Sequence, residues 1–405
     1  LSSVDFSTQP IRNIGSCPTW LPAGHRCTRS GEGDLIIAGS TTNNEGIPFS
    51  SSTLTSVDFT GQFIGGEVGA LIDHSSANMS SASLDDADLS YADLESVNFS
   101  SASLLNTDLT GASIVDANFT SAVLTGQNFQ QVANGSLAGC NFTNATLDGT
   151  TLAGTDISGI TLTGADLTSA DLSDLDLSAF NLVGADLTDT TLTGATITGI
   201  TAADLVGCAP IDLAGGYYCL ETPSAGFIIG GPSVNLNSVN LSNASFVAES
   251  SLSDASLEGA TLVSAVLQEV DLSGAIISRG NLTNAVLQNA NFTGAVMNSV
   301  NLKSAVATGA NFTNANLAGA RLEGTVATGA TMDNATITGV TVADFAQFTG
   351  GSYVGADFTN SELYFVDLSD SNLTGADFTG ANLQFTKLEN TDLTNVIWSN
   401  TICPD

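Results

Sequence analysis

Six cysteines, two histidines and 41 carboxylates are the residues through which this 405-residue chain could do chemistry. Cys17 and Cys27 bracket CPTWLPAGHRC, and Cys208 and Cys219 bracket CAPIDLAGGYYC. Two pairs at nearly equal short spacing, each in a loop with Pro and Gly, are expected to form local disulfides in an oxidising compartment. A zinc site would need more ligands nearby, and His25 is the only candidate. His74 lies in an irregular patch, GALIDHSSANM. Neither histidine has a nucleophile or a patterned carboxylate beside it that the surrounding repeat leaves unexplained. No catalytic residue is therefore assigned, and no enzyme is expected. Asp166 and Asp186, Asp156 and Asp176, and Asp88 and Asp108 are each twenty residues apart. Stacked on one face, like charges would repel, and a divalent ion such as calcium would relieve them. Solvated, salt-screened carboxylates are the favoured alternative, so no metal ligand and no cofactor is assigned.

The element that positions these residues is a repeat of five. A large apolar residue recurs at sixty centres, in runs such as Met79 to Phe129, Leu137 to Ile197, Leu252 to Val342 and Phe348 to Trp398. No helix keeps one face through a strict period of five, because 3.6 residues per turn does not fit it. Phe99 and Phe119, Phe292 and Phe312, and Phe358, Phe378 and Trp398 recur at twenty. Four fives per turn of a coil would stack these rings. The central residue and a small one, usually Ala, then point inward, and Asp, Asn, Ser, Thr and Gly face solvent. A coil so filled is expected to offer no pocket. Fifteen turns at about 4.8 Å of strand spacing would make a rod about 70 Å long.

The stretches ADLTSADLSDLDLSAFNLVGADLT (165–188) and ADFTGANLQ (376–384) resemble the A(D/N)LxX signature of the pentapeptide-repeat family. That resemblance implies an all-β fold, a right-handed quadrilateral β-helix, and covers about three quarters of the chain. It says almost nothing about function, which must be argued from sites.

The Cys loops head similar stretches. CPTWLPAGHRC, DLIIAG and TLTSVDFTG parallel CAPIDLAGGYYC, FIIGGP and NLNSVNLSN, and GATITGITAADL (194–205) echoes NATITGVTVADF (334–345). The simplest account is an internal duplication, each module headed by a disulfide loop. Four segments follow: a strand-like tail and disulfide loop (1–50), a first repeat β-helix (51–206), a second disulfide loop and coil start (207–235), and a second repeat β-helix (236–405).

A formal charge of −34 excludes nucleic acid and anionic membrane surfaces as electrostatic partners. No run of 18 apolar residues is present, so no transmembrane helix is expected. A first residue Leu1 in place of Met fits a removed leader, as trimming would. One outward slot carries unexpected chemistry: Val266, Val286, Val306 and Val326 precede centres and are twenty apart, and Ile397 and Ile402 fill the same slot of the five. They are expected to form a contact stripe. A register shift is the competing account, since Ala307 and Ala327 occupy centres. Leu1, Phe6 and Ile11 repeat the five-residue rhythm before the first Cys loop, and Cys403 falls at the centre after Trp398. No cap sequence follows Trp398, which reads as a coil end seeking a partner. Cys140 replaces an inward Ala and is expected to be a buried free thiol. The thirteen N-x-S/T sequons are largely what the repeat itself spells.

Three functions compete. The first is a non-enzymatic, secreted structural or assembly protein at the cell exterior or surface, packing with copies of itself or another structural protein, into a filament or a surface layer. Periplasm and thylakoid lumen satisfy the cysteines equally well. The second is the nucleic-acid mimicry that the family resemblance brings with it, in which an acidic coil binds a DNA-handling enzyme such as gyrase. The third is ice binding, suggested by TLT and TIT triplets, but the column at 261, 281, 301 and 321 reads TLV, NLT, NLK and RLE, with no regular Thr face.

Overall fold

The computed structural model describes residues 72–208, 216–224, 226–342 and 346–404, with 26–29, 35–38 and a few positions from 49 to 65. Each five-residue unit is one short strand step and one tight turn. The small residue and the central residue face inward, one residue between them faces out, and two residues turn the corner. The second corner residue adopts positive φ: Ser76, Ser81, Asp86, Tyr91 and Ser96 lie between 53° and 58°. This is the left-handed position of a type II turn, which favours Gly, Asn, Asp and Ser. That slot is therefore set by backbone conformation as well as by solvent. At Gly139 (φ 70°) close approach adds to it, because Asp116 Oδ1 of the previous coil sits where a Cβ would go.

Successive coils pair in parallel. The Leu84 N–H donates to the Ser103 carbonyl (2.7 Å), and the Ser103 N–H donates back to the Ala82 carbonyl (2.9 Å). Repeated from coil to coil, this gives four ladders per coil. In the second half they run from Asn235 to Ile397, from Asn240 to Ile402, from Ser245 to Lys387 and from Ser251 to Asp392. The fold is a quadrilateral β-helix.

The chain forms two compact units, 1–196 with 205–212, and 197–204 with 213–405. In the first, the centres from Met79 to Phe129 and from Leu137 to Leu192 are all buried, as are Leu54, Phe59 and Ile64. Phe99, Phe119 and Phe142 stack face to face with centroids 5.2 Å apart. Ladder steps lengthen from 20 to 23 residues at Asn118–Asn141, Val123–Thr146 and Asn128–Thr151, then return to 20 at Ser136–Asp156. The extra chain is a corner detour of two 3-10 turns, Phe129–Gln131 and Ala133–Gly135.

In the second unit, Phe292 stacks on Phe312 (4.8 Å), Phe358 on Phe378 (4.9 Å) and Phe378 on Trp398 (5.3 Å). Its centres are buried as far as Leu383, whereas Leu393 and Trp398 are 37% and 38% exposed.

Hydroxyl side chains occur in the small inward slot, and their pairing repeats. Thr107, Thr190, Thr325 and Thr386 each donate to the carbonyl of the centre 23 residues earlier, Leu84, Leu167, Leu302 and Leu363, at 2.6–2.9 Å. Each buried hydroxyl is thereby satisfied and clasps two coils together.

Two antiparallel ribbons complete the described residues. Strands β1 (Arg26–Arg29) and β2 (Leu35–Ala38) pair with Cys27 opposite Ile37. Two short strands, β3 (Ile72–Asp73) and β4 (Ala92–Asp93), form a parallel rung. Strands β5 (Tyr218–Thr222) and β6 (Gly226–Gly230) pair with Cys219 opposite Ile229, the same ten-residue offset as in the first ribbon. The Ile229 N–H donates to Ala202 (3.0 Å) and the Asn235 N–H to Ile200 (2.9 Å), so this ribbon leads directly into the coils of its unit.

Candidate functional site

Val266, Val286, Val306 and Val326 bridge one another in succession along one ladder. All four are half-buried and face outward, while Ala307 and Ala327 are 1% and 0% exposed at the centres. The register-shift account is therefore wrong: the centres stay inward even when they shrink to Ala. The run spans about 14 Å at strand spacing, preceded on its ladder by Ser245 and followed by Gln347, Asp367 and Lys387. Lys387 Nζ lies 3.2 Å from Asp367 Oδ2. Ile397 (48% exposed) and Ile402 (55%) belong to two other ladders, below Asp377 and Asn382, and do not extend the valine run.

Cys208 and Cys219 are joined in a disulfide, and Cys27 is disulfide-bonded. Cys17, Leu1, Phe6 and Ile11 lie outside the described residues. Cys140 is a buried free thiol in an Ala slot, donating to the Ile114 carbonyl at 3.0 Å, and burial pushes its pKa up to about 12. Cys403 is free and exposed.

His74 is not in an irregular patch. It holds the centre slot five residues before Met79 and is 0% exposed. Its main-chain N–H donates to the Asp93 carbonyl, as a centre's should. Its Nδ1 accepts from the Phe49 N–H (3.1 Å), which leaves Nε2 to donate to the Ile64 carbonyl (2.7 Å). The ring stacks on Phe49 with centroids 5.1 Å apart. Burial lowers its pKa to about 4, so the ring is neutral. It is a structural core group, and a search for an unbroken apolar centre run passed over it.

Asp88 and Asp108 are bridged, as are Asp166 and Asp186. Asp156 and Asp176 are not: Asp156 pairs with Ser136 and Asp176 with Thr196. The coils part here at Phe180, a ring in a slot that elsewhere holds Ala and one that stays half-buried; Ile160 and Leu175 also replace Ala but are buried. The parting opens clefts of about 290 Å³ and 460 Å³ on either side of Phe180, which corrects the expectation of a filled coil without pockets. Among the described residues, no group of three or more His, Cys, Asp or Glu side chains is placed to hold a metal ion. Nor is any helix there long and apolar enough to cross a membrane.

Sequence reasoning also missed an aromatic corner. Phe365 and Phe385 take positive-φ corner slots (59° and 61°), stack at 4.9 Å, and are 40% and 42% exposed. Tyr364 meets both edge-on at 4.5 Å and 5.3 Å. The signal was present: a phenyl ring twice, twenty residues apart, where the repeat calls for Gly or Asn.

A family model described as pentapeptide repeats matches eight copies, at 77–114, 133–168, 170–208, 250–288, 278–313, 308–341, 344–380 and 356–395, more than half of the chain. Proteins of that family fold as right-handed quadrilateral β-helices. No curated protein matches. Among solved structures, the chain is similar to HetL, involved in heterocyst differentiation regulation in the cyanobacterium Nostoc sp. strain PCC 7120. The two share 22% identity over 60% of this chain and 88% of that one, with a TM-score of 0.22. QnrB1, a plasmid-mediated fluoroquinolone resistance protein, is 18% identical over 39% of this chain and 80% of its own, with a TM-score of 0.26. A pentapeptide repeat protein of the Arabidopsis thaliana thylakoid lumen is 20% identical over 32% and 62%, with a TM-score of 0.17. Scores this low carry no argument about partners.

Proposed function

This chain belongs to the pentapeptide-repeat family, and from that premise we propose that it is a non-enzymatic structural or assembly protein that is secreted and packs with copies of itself or with another structural component. The observation that carries the reading is the valine ladder. A slot held mostly by Asp, Asn, Ser or Thr is apolar on four consecutive coils, and an ordered apolar run on an outward face favours contact with protein. The run alone is far smaller than a stable interface, so it serves as the dry centre of a broader polar contact. Leu1, Phe6, Ile11, Ile397, Ile402 and Cys403 are proposed as further contact residues, which would extend assembly toward a filament or surface layer. The disulfides support export to an oxidising compartment. The matched register of the two ribbons supports duplicated modules.

The test is sedimentation equilibrium of the purified chain and of a Val286→Thr/Val306→Thr variant, which keeps β-branched side chains but removes apolar contact. The wild type should associate with rising concentration, and the variant should remain monomeric with unchanged unfolding. A wild type that stays monomeric, or a variant that associates equally, would sink the proposal. Charge favours a second reading, a polyanion mimic that occupies the nucleic-acid site of an enzyme such as gyrase. Between Arg29 and Arg279 there is no Lys or Arg against 29 Asp and Glu residues. Inhibition of gyrase supercoiling by the chain would support that reading, and a chain without effect would exclude it.

A further inference from the structure

The cleft at Phe180 arises from a local failure of coil stacking. Ladder pairs form on both sides of it, Thr151–Asp171 and Asp166–Asp186. Between them, no main-chain hydrogen bond joins 154–162 to 173–182. Among the described residues, the N–H groups of Ile157, Gly159, Leu162, Asp176 and Asn181 meet no main-chain acceptor. Thr163 Oγ1 reaches the Asn181 carbonyl only at 3.4 Å. A comparable misfit at Gln127 is self-healed, because its Nε2 donates to the Leu104 and Thr107 carbonyls, both at 3.0 Å. A phenyl ring cannot do this. Phe180 stays half-buried as the wall shared by both lobes.

The lobes differ in character. The smaller is walled by Ile160, Thr161, Ala179 and Asn181, and the larger by Ile157, Asp156, Asp174 and Asp176. Ser158 and Ser178 donate main-chain N–H bonds to Asp156 and Asp176, each at 3.0 Å. Hydrogen bonds from those serines hold both carboxyls below their ordinary pKa, so both are ionised at neutral pH. An anionic guest is repelled, and the chain supplies no Lys or Arg of its own between residues 30 and 278. A guest must therefore be cationic at one end, flat enough to lie on a phenyl face, and of side-chain size.

We propose that this cleft is a docking slot for an arginine side chain presented by an extended segment of a partner protein. The guanidinium plane lies against Phe180 and donates to Asp156 and Asp176. The segment's own main chain meets the unpaired N–H groups of the parted coils, as an added strand would. The slot lies in the first unit and does not depend on the valine ladder.

The experiment titrates the full chain with acetyl-Gly-Arg-Gly-amide, and with the same peptide carrying citrulline, followed by NMR. The arginine peptide should bind at one saturable site, with citrulline at least about tenfold weaker as a lost charge-assisted pair requires. Phe180→Ala restores the residue type this slot usually holds, so the coils should close. Amide exchange at Leu162 and Asn181 should slow, and binding should be lost. Asp156→Asn/Asp176→Asn should keep the cleft open but abolish the preference for arginine over citrulline. Equal binding of both peptides to the wild type, binding that survives Phe180→Ala, or unchanged exchange in that variant would each overturn the proposal.

Discussion

His74 stands where nearly every other coil places Leu, Phe, Ile or Met, and its neutrality makes it a pH-dependent weak point. Its folded pKa of about 4 lies below the unfolded value of 6.5 because burial disfavours the imidazolium. The folded state thus binds fewer protons, so its stability is intact above the unfolded pKa and is lost as pH falls from 6.5 toward 4. The loss amounts to about 3 kcal/mol. The carboxylates held low by hydrogen bonds, Asp156, Asp176 and Asp392, act in a different window, below their ordinary value of 3.8. Amide exchange at Phe49, whose N–H donates to the ring, should therefore accelerate steeply between pH 6.5 and 4 after correction for intrinsic rates. His74→Gln, which keeps a donor and an acceptor, should flatten that dependence, and parallel curves for the two proteins would show that the ring is not a buried neutral base. At this scale the sequence was legible where a residue obeyed the five-residue rhythm. His74 and Phe180 were missed for opposite reasons. A histidine did not look like a centre, and a phenylalanine in an Ala slot was not weighed against the space available to it.

At the scale of the coil, periodicity placed the inward centres correctly in the runs Met79 to Phe129, Leu137 to Ile197, Leu252 to Val342 and Phe348 to Leu383, including the stacked rings at twenty. It did not explain the fifth slot, where polarity alone seemed a sufficient reason for Gly, Asn, Asp and Ser. The reason is the left-handed turn, and the two causes separate by mutation. Gly126 has φ 74° and open space, with nothing within 4 Å of where a Cβ would sit, whereas Gly139 has Asp116 Oδ1 in that space. Gly126→Ala should cost about 1 kcal/mol from backbone strain alone. Gly139→Ala should cost clearly more, because Asp116 must also move. Urea unfolding midpoints at constant m-value would check both, and equal costs would mean that the corner contact is loose. The same reasoning marks Phe365 and Phe385 as costly placements, kept in spite of local backbone preference.

Across the whole chain, a charge of −34 dominates anything one ion pair can contribute. Self-repulsion of that size is long-ranged at low salt and is screened within about 8 Å near physiological ionic strength. The thermal midpoint should therefore rise when sodium chloride is raised from about 10 mM to about 200 mM. A salt-independent midpoint that falls on adding EDTA would instead reveal bound divalent cations between stacked pairs such as Asp88 and Asp108. Composition made this property plain, and the repeat made the fold plain. The partner was not legible, because the features that point to one are departures from the repeat, each only a few residues long. The corner detour at Phe129–Gly135 carries a further consequence. Three surplus residues enter there, and one more lengthens the steps at Asn235–Ser256 and again at Val326–Gln347, yet the ladders return to twenty at Ser136–Asp156, Ser251–Asp271 and Gln347–Asp367, so each coil takes its phase only from the coil before it. Phase errors do not accumulate in such a chain: a loop spliced into any corner is forgotten one turn later, and new recognition elements can be added there without re-tuning the coils on either side.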